Sequence, residues 1–322
     1  MNENDATPTI TVPLEFAGQR MDQVLVHLYP DYSRARLQKW LKEGRILVDG
    51  GLCRPRDKAV AGARIELQVD MAALTEVNAE PQNLPLEVVF EDDQLIIINK
   101  PAGLVVHPAA GNWDGTLQNG LLHRFPELAE VPRAGIVHRL DKATTGLMVV
   151  ARNLKSHKSL VDQLQVKTME REYHAVVVGV MVAGGTVDAP IGRHPKDRKR
   201  MAVSQQGKDA RTHYRVLEKF RAHTYIKCLL ETGRTHQIRV HMAHIRYPLV
   251  GDPVYGGRLR IPAGVTEPLM NLLRSFHRQA LHARRLSLIH PETGTSMEWT
   301  VDLPADMVAL LDALRLDTQE QS

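Results

Sequence analysis

The sequence predicts an α+β protein in which a mixed, largely antiparallel sheet domain follows a small basic helical unit. Two observations carry this. From about residue 85 onward, segments with strand character outnumber those with helical periodicity and do not alternate regularly with them, which argues against a parallel α/β architecture. Positive charge, moreover, is concentrated. Residues 34–45 hold Arg34, Arg36, Lys39, Lys42 and Arg45 against Glu43, and residues 193–200 hold Arg193, Lys196, Arg198, Lys199 and Arg200 against Asp197. Each block nets +4, yet the whole chain carries only +4, so the remainder sums to −4. Two such patches on an otherwise acidic chain favour a polyanion as partner over general stickiness. Charge alone leaves open that they are merely solvated faces.

Taken in order, residues 14–16 are expected as an edge strand. Met21, Val24, Leu25 and Leu28 then follow the i, i+3, i+4, i+7 spacing of an amphipathic helix, which Pro30 ends. Ser33 is the expected N-cap of a second helix with buried stripe Leu37, Trp40 and Leu41, closed by Gly44. Its basic residues fall largely off that stripe and so face solvent or a ligand. Residues 46–48 form a strand, Asp49-Gly50-Gly51 a turn, and residues 64–69 alternate as a half-buried strand should. The first unit thus spans 1–70 with its N-terminal tail, 71–84 lacks periodicity and reads as a linker, and 85–322 forms the second domain. Within that domain strands are expected at 86–90, 95–98, 146–151, 172–180, 211–218, 223–231, 281–289 and 296–302. Helices are expected near 154–166, 234–244, 266–275 and 305–315.

With 322 residues and 43% hydrophobic content the chain can bury a core without metal or disulfide staples. Cys53 and Cys228 lie too far apart in sequence to suggest a disulfide framework, and fit a reducing cytoplasm. The polar start MNENDATPTI is not a secretory signal. The longest apolar run, 175–183, falls far short of the ~20 residues that cross a bilayer. A cytoplasmic monomer without membrane contact is expected.

The densest polar segment is His138-Arg139-Leu140-Asp141-Lys142-Ala143-Thr144-Thr145-Gly146-Leu147, set between Ile136-Val137 and Met148-Val149-Val150. A carboxylate held between apolar runs with cations on both sides is costly unless paired. On residue types alone Asp141 is as readily a turn or capping residue. There is no G-x-G-x-x-G, no P-loop and no internal repeat. His236, His241 and His244 lie close together, but their spacing is not H-E-x-x-H and no neighbouring carboxylate completes a metal set, so no metal is expected.

That segment resembles the central motif of the RluA-type pseudouridine synthases, in which HRLD precedes a Thr/Ser-Gly-Leu turn. Three further stretches match in order: Asn99-Lys100-Pro101-Ala102-Gly103-Leu104-Val105-Val106-His107-Pro108, Arg171-Glu172-Tyr173, and Thr232-Gly233-Arg234-Thr235-His236-Gln237-Ile238-Arg239-Val240-His241 trailed by Leu249-Val250-Gly251-Asp252-Pro253-Val254-Tyr255-Gly256. The first unit resembles the α-L domain of a small-subunit ribosomal protein, the S4-like RNA-binding domain. Ala143 and Thr145 depart from the commoner acidic residue and serine; they are read as tuning the turn.

The resemblance implies a pseudouridine synthase fold and isomerisation of uridine to pseudouridine without metal or cofactor. Asp141 would be the catalytic carboxylate, acting as nucleophile at the sugar or as base on a sugar proton. Arg239 would pair with it and keep it ionised in a dry pocket. Tyr173 would stack on the extruded uracil and serve proton transfer at C5. Arg139 would fill the space the flipped nucleotide leaves. Ile238, Leu140 and His138 would line the substrate pocket, and the two basic blocks would hold RNA. The wording of the motifs points to a structured stem-loop of large-subunit (23S) ribosomal RNA, several uridines of helix 69, within a pre-ribosomal particle or outside it. The alternatives are another large-subunit site, or a non-catalytic ribosome-assembly factor. The latter fits the charge equally well but needs no joint occurrence of Asp141, Tyr173 and Arg239. A glycosidase would need two carboxylates flanking the bond, and the matching motifs supply one.

Overall fold

The computed structural model describes residues 9–29, 34–67, 79–108, 112, 114–197 and 200–320, with backbone only at 9, 35 and 36. The chain divides into two compact units, residues 1–76 and 77–322.

In the first unit β1 (Thr9–Thr11), α1 (Met21–Leu28), α2 (Arg34–Lys42), β2 (Ile46–Val48), β3 (Gly51–Leu52) and β4 (Arg64–Leu67) follow in order, and the sheet runs β1-β4-β2-β3 with antiparallel pairs. Met21, Val24 and Leu25 from α1 meet Leu37, Trp40 and Leu41 from α2 over Ile46 and Ile65 in one core. The helix stripes are those expected; the edge strand is not where it was expected. Residues 14–16 form a 3-10 turn after Pro13, and the strand lies earlier, at Thr9–Thr11. Leu14 is 81% exposed, so the segment has no buried face for a strand to offer. Pro30 and Ser33, the expected helix stop and N-cap, lie outside the described residues.

The second unit contains β5 (Val88–Glu91), β6 (Leu95–Lys100), α3 (Leu117–Arg124), β7 (Thr145–Ala151), α4 (Leu154–Gln165), β8 (Glu170–Val178), β9 (Gly185–Asp188), β10 (Ile191–Arg193), β11 (Met201–Val203), β12 (Arg211–Lys219), β13 (His223–Leu230), α5 (Gln237–His244), α6 (Glu267–Ser275), β14 (Leu281–Ile289), β15 (Ser296–Thr300) and α7 (Ala305–Glu320). Among the described residues its main sheet has the order β5-β6-β7-β14-β8-β13-β12-β9, with β15 beside β14. Every pairing is antiparallel except β7 with β14, which is parallel at His282–Thr145 and Ala283–Gly146. The mixed, largely antiparallel class is thus observed. The segment 79–84, expected as linker, packs on this unit: Ala79 is buried in its core and Gln82 accepts from the Gly115 amide.

The central strands are apolar on both faces because helices cover both. Ile96, Ile98, Met148 and Val150 point into one cluster with Leu117 and Leu121 of α3. Their strand neighbours Leu95, Ile97, Leu147 and Val149 point into the other, with Leu160 of α4. This two-sided alternation is the period of a pleated strand, and each buried leucine or isoleucine contributes about 1.5–3 kcal/mol.

Two glycines let the backbone close up around the loop that carries Asp141. At Gly146 (φ 110°) an added Cβ would stand 2.2 Å from the Ala283 carbonyl oxygen, so β7 and β14 approach only with glycine there. At Gly135 (φ 76°) it would stand 1.9 Å from the Ala151 carbonyl oxygen. Arg133 and Ala134 just before it also have positive φ, 57° and 51°, a strained turn held by the buried Ala134 and Ile136.

Candidate active site

A cleft of about 790 Å³ opens in the second unit where three segments converge: the loop before β7, the start of β8, and the loop from β13 into α5. Asp141 stands in the first of these, in a turn closed by the Thr144 amide donating to its carbonyl at 3.0 Å. Thr144 and Thr145 anchor that turn from behind. Gln279 Nε2 donates to the Thr144 hydroxyl at 2.9 Å, and the Thr145 hydroxyl bonds His282 Nδ1 at 2.8 Å.

One oxygen of Asp141 accepts from Arg239 Nη1 at 2.9 Å; the other faces His236 Nε2 at 3.8 Å. Arg239 is 4% exposed and lies in the first turn of α5. The far side of its guanidinium is occupied by Asp252, whose oxygens accept from Nε at 2.7 Å and Nη2 at 2.9 Å. Asp252 Oδ1 also accepts from the amides of Val254 (2.9 Å) and Tyr255 (3.0 Å). Burial pushes the Asp252 carboxyl up, but hydrogen bonds and charge from Arg239, aided by those amides, outweigh it and hold its pKa below the ordinary value. Burial lowers the Arg239 pKa and is outweighed by both aspartates, Asp252 above all, which raise it.

Tyr255 packs under this group. Its ring lies 5.1 Å from the Arg239 guanidinium carbon and 5.5 Å from that of Arg200. Its hydroxyl accepts from the Met201 amide at 2.9 Å and meets His236 Nδ1 at 2.8 Å. With the hydroxyl already accepting from Met201, its own proton is best given to His236 Nδ1, which leaves the His236 proton on Nε2, toward Asp141. His236 takes a left-handed backbone (φ 58°) to reach this position, and burial lowers its pKa against the opposing pull of Asp141.

The expected site residues assemble as follows. Tyr173, 5% exposed, and Ile238, 3% exposed, line the cleft beside Asp141. Burial raises the Tyr173 pKa, with Arg171 opposing and Asp141 adding to the rise. Leu140 lines the cleft and is buried. His138 lines it too, but its Nε2 accepts from the Val149 amide at 3.1 Å, and burial with the nearby Arg171 charge pushes its pKa down to about 3. It is a neutral strut that ties the loop to β7. Arg139 is exposed at the cleft and makes no hydrogen bond or ion pair among the described residues.

The basic blocks divide. Arg34 is bound at 2.8 Å to the buried Asp22, a carboxylate that it shares with Arg20 and Gln38. Lys39 and Arg45 lie 3.6 and 3.2 Å from Glu43, while Lys42 is exposed. The side chain of Arg36, and Arg198 and Lys199, lie outside the described residues. Arg193 and Lys196 are exposed on the β10–β11 hairpin, whose base packs on Val240 of α5.

Asp252, His236 and Tyr255 belong to this constellation, although sequence reasoning gave them no role. The signal was present in Gly251-Asp252-Pro253-Val254-Tyr255-Gly256, where an aspartate is placed to accept from the amides just after it. Lys100 was missed as well. It is fully buried, its Nζ donates to the carbonyls of Pro101 (2.7 Å), Leu104 (2.9 Å) and Lys142 (3.0 Å), and burial lowers its pKa to about 7. It thereby fastens the loop 101–104 to the residue after Asp141. The three histidines near α5 do not converge: His241 is buried and bonds Thr212 Oγ1 and the Ala189 carbonyl, both at 2.9 Å. Among the described residues no group of three or more His, Cys, Asp or Glu is placed to hold a metal ion, and no helix is long and apolar enough to cross a membrane.

A carboxylate fixed at the floor of a cleft between a tyrosine ring and an apolar wall can attack or deprotonate a sugar whose base lies on that ring. A family model described as RNA pseudouridylate synthase matches residues 94–244, and one described as S4 domain matches 19–65. Ribosomal large subunit pseudouridine synthase D of Pseudomonas aeruginosa is 58% identical over 96% of both chains. The protein so named in Xanthomonas campestris is 55% identical over 95% of this chain and 92% of its own. The solved structure of human RNA pseudouridylate synthase domain containing 4 superposes with TM-score 0.56 at 27% identity, covering 71% of this chain and 93% of its own. With an S4 domain ahead of a sheet domain whose cleft gathers all four motifs, the chain belongs to the RluA-type pseudouridine synthases, isomerases that convert uridine in RNA to pseudouridine.

Proposed function

We propose that this enzyme modifies uridines of large-subunit ribosomal RNA, in the stem-loop called helix 69, with Asp141 as the catalytic carboxylate. The observation that carries the reading is the Asp141–Arg239 hydrogen bond of 2.9 Å at the floor of the cleft, flanked by Tyr173 and Ile238. The relatives bearing the large-subunit name support the choice of RNA.

C1′ and C5 of a uridine stacked in a helix are out of reach, so the nucleotide enters the cleft flipped out. Arg139, exposed and uncommitted, takes the vacated place by stacking and by holding phosphate. Uracil lies on the Tyr173 ring against Ile238. Asp141 either attacks C1′, displacing N1, or removes a sugar proton so that N1 departs by elimination. In both routes the freed uracil turns within the cleft. In the first, C5 attacks C1′ and breaks the Asp141–C1′ ester bond; in the second, C5 adds to C1′ while Asp141 returns the proton to the sugar. In both, C5 then loses its proton, with the Tyr173 hydroxyl as carrier, and N1 gains one. Arg239 holds and orients the Asp141 carboxylate through its 2.9 Å hydrogen bond. The first unit and the β10–β11 hairpin hold flanking phosphates through Lys42, Arg193 and Lys196.

Pseudouridine mapping in ribosomal RNA from cells lacking this protein tests the proposal. Loss confined to the helix 69 uridines supports it; loss at a different large-subunit site gives the enzyme another target, and no loss overturns it.

A further inference from the structure

The geometry points to Arg171 as the seat of an RNA backbone phosphate next to the target uridine, a binding site distinct from the Asp141–Arg239 pair. It rests on the cleft being the uridine site, and adds the anion that the cleft holds beside the base.

Arg171 is 7% exposed, yet its side chain makes no hydrogen bond or ion pair among the described residues, and its Nε is buried without a partner. It lines the same cleft as Asp141. A buried guanidinium with nothing to neutralise it is costly, and such an arrangement persists where a charged ligand completes it. The carboxylates that share the cleft are already committed. Glu231 bonds His213 at 2.6 Å, Lys167 at 3.0 Å and Arg211 at 3.3 Å, and Asp141 bonds Arg239. His138, the neutral neighbour, accepts from Val149 and offers no charge.

The surroundings are shaped for this guanidinium. The loop from β13 into α5 passes over it at Gly233, where an added Cβ would stand 2.8 Å from Arg171 Nη1. Glycine at that position leaves the fork free. Arg171 and Tyr173 are two residues apart on β8, so both side chains leave the same face, about 7 Å apart along the strand. A uracil on Tyr173 therefore places its own phosphate or the next within reach of Arg171. A phosphodiester suits the position better than a uracil carbonyl, because it is anionic and accepts both N–H groups of a guanidinium fork.

The test uses the full chain and a short RNA stem-loop that it modifies. Binding is measured between about 50 and 200 mM salt for the parent, Arg171→Gln and Arg171→Lys, with thermal melting to check that each variant is folded. Arg171→Gln should bind roughly ten- to a hundredfold more weakly. Its plot of log affinity against log salt should be shallower by about 0.7–0.9, the loss of one phosphate contact. Arg171→Lys should keep the parent slope. A neutral methylphosphonate at the linkage beside the target uridine should weaken the parent and leave Arg171→Gln unaffected. An unchanged salt slope in Arg171→Gln, or equal methylphosphonate penalties in parent and variant, overturns the proposal. So does a variant that keeps its slope but no longer distinguishes uridine from cytidine, since Arg171 would then read the base. The slopes are equilibrium quantities, so they stand apart from tritium release by the parent, whose failure would instead discard the cleft as the uridine site.

Discussion

Asp252 grips Arg239 from behind. Its two hydrogen bonds of 2.7 and 2.9 Å occupy Nε and Nη2, which leaves Nη1 alone to reach Asp141 at 2.9 Å. The guanidinium cannot rotate away without breaking a buried pair, so the orientation of the Asp141 carboxylate is set by a residue that does not itself contact it.

Asp252→Asn should therefore slow single-turnover isomerisation and lower stability by about 3 kcal/mol, the low end for a broken buried pair because Arg239 keeps Asp141. The folded pKa of Asp252 is depressed, so its contribution is present above the ordinary aspartate pKa and is lost as pH falls through the folded value. The stability gap between parent and variant should be widest at neutral pH and close below about pH 4. Urea melts at a series of pH values measure this; a gap that persists undiminished into acid would show that Asp252 acts by shape alone. Arg239→Lys should retain more turnover than Arg239→Ala and less than the parent, since one ammonium cannot serve both aspartates.

Asp141→Asn should abolish isomerisation, measured as tritium release from C5-labelled uridine, while RNA binding and folding remain near those of the parent. The amide is nearly isosteric and can still meet Arg239, but is neither nucleophile nor base. Activity surviving in the purified variant would remove Asp141 from the chemistry.

Tyr255→Phe keeps the ring between Arg239 and Arg200 and deletes only the hydroxyl that joins His236 to the Met201 amide. Stability should fall by about 1 kcal/mol. Turnover should fall with little change in RNA affinity, because the lost contact fixes the His236 tautomer beside Asp141. An affinity loss with unaltered turnover would place the role of Tyr255 in the hairpin instead.

The helices of the first unit and the central strands were legible because their apolar residues repeat at 3.6 or alternate at 2, and tertiary packing followed that pattern. Helix α3 was not. Gly120 interrupts it because a Cβ there would lie 3.2 Å from both Leu84 and Leu86, and its capping box uses asparagine at Asn119 where glutamate or glutamine is commoner. The short strands β9, β10 and β11 were missed because three or four residues carry no period. At the site, Asp141, Tyr173, Ile238 and Arg239 were legible through motif resemblance. Asp252 and Tyr255 lie more than a dozen residues beyond Arg239, where only the fold makes them neighbours. Charge was the least informative signal: Arg34 reads as a ligand-facing cation, yet it is also held on the buried Asp22 beside Arg20.

That distinction shapes the last prediction, which concerns the first unit. Removing residues 1–76 takes away a unit with its own core and leaves the second unit's core intact. The truncated enzyme should bind its RNA more weakly and with a shallower salt dependence, because fewer counterions are released when fewer phosphates are held. Single-turnover chemistry under saturating enzyme should be nearly unchanged, since Asp141, Arg239 and Tyr173 all lie in the second unit. Within the full chain, Lys42→Ala should reduce the salt slope, because Lys42 is exposed. Arg34→Ala should instead cost about 1 kcal/mol of stability by removing one of the two cations on the buried Asp22, with the slope almost unaltered. Salt titrations of the three proteins separate the two roles. If truncation leaves the slope intact, the first unit does not touch phosphate. If Arg34→Ala lowers the slope as much as Lys42→Ala does, Arg34 leaves Asp22 on binding and reaches the RNA itself.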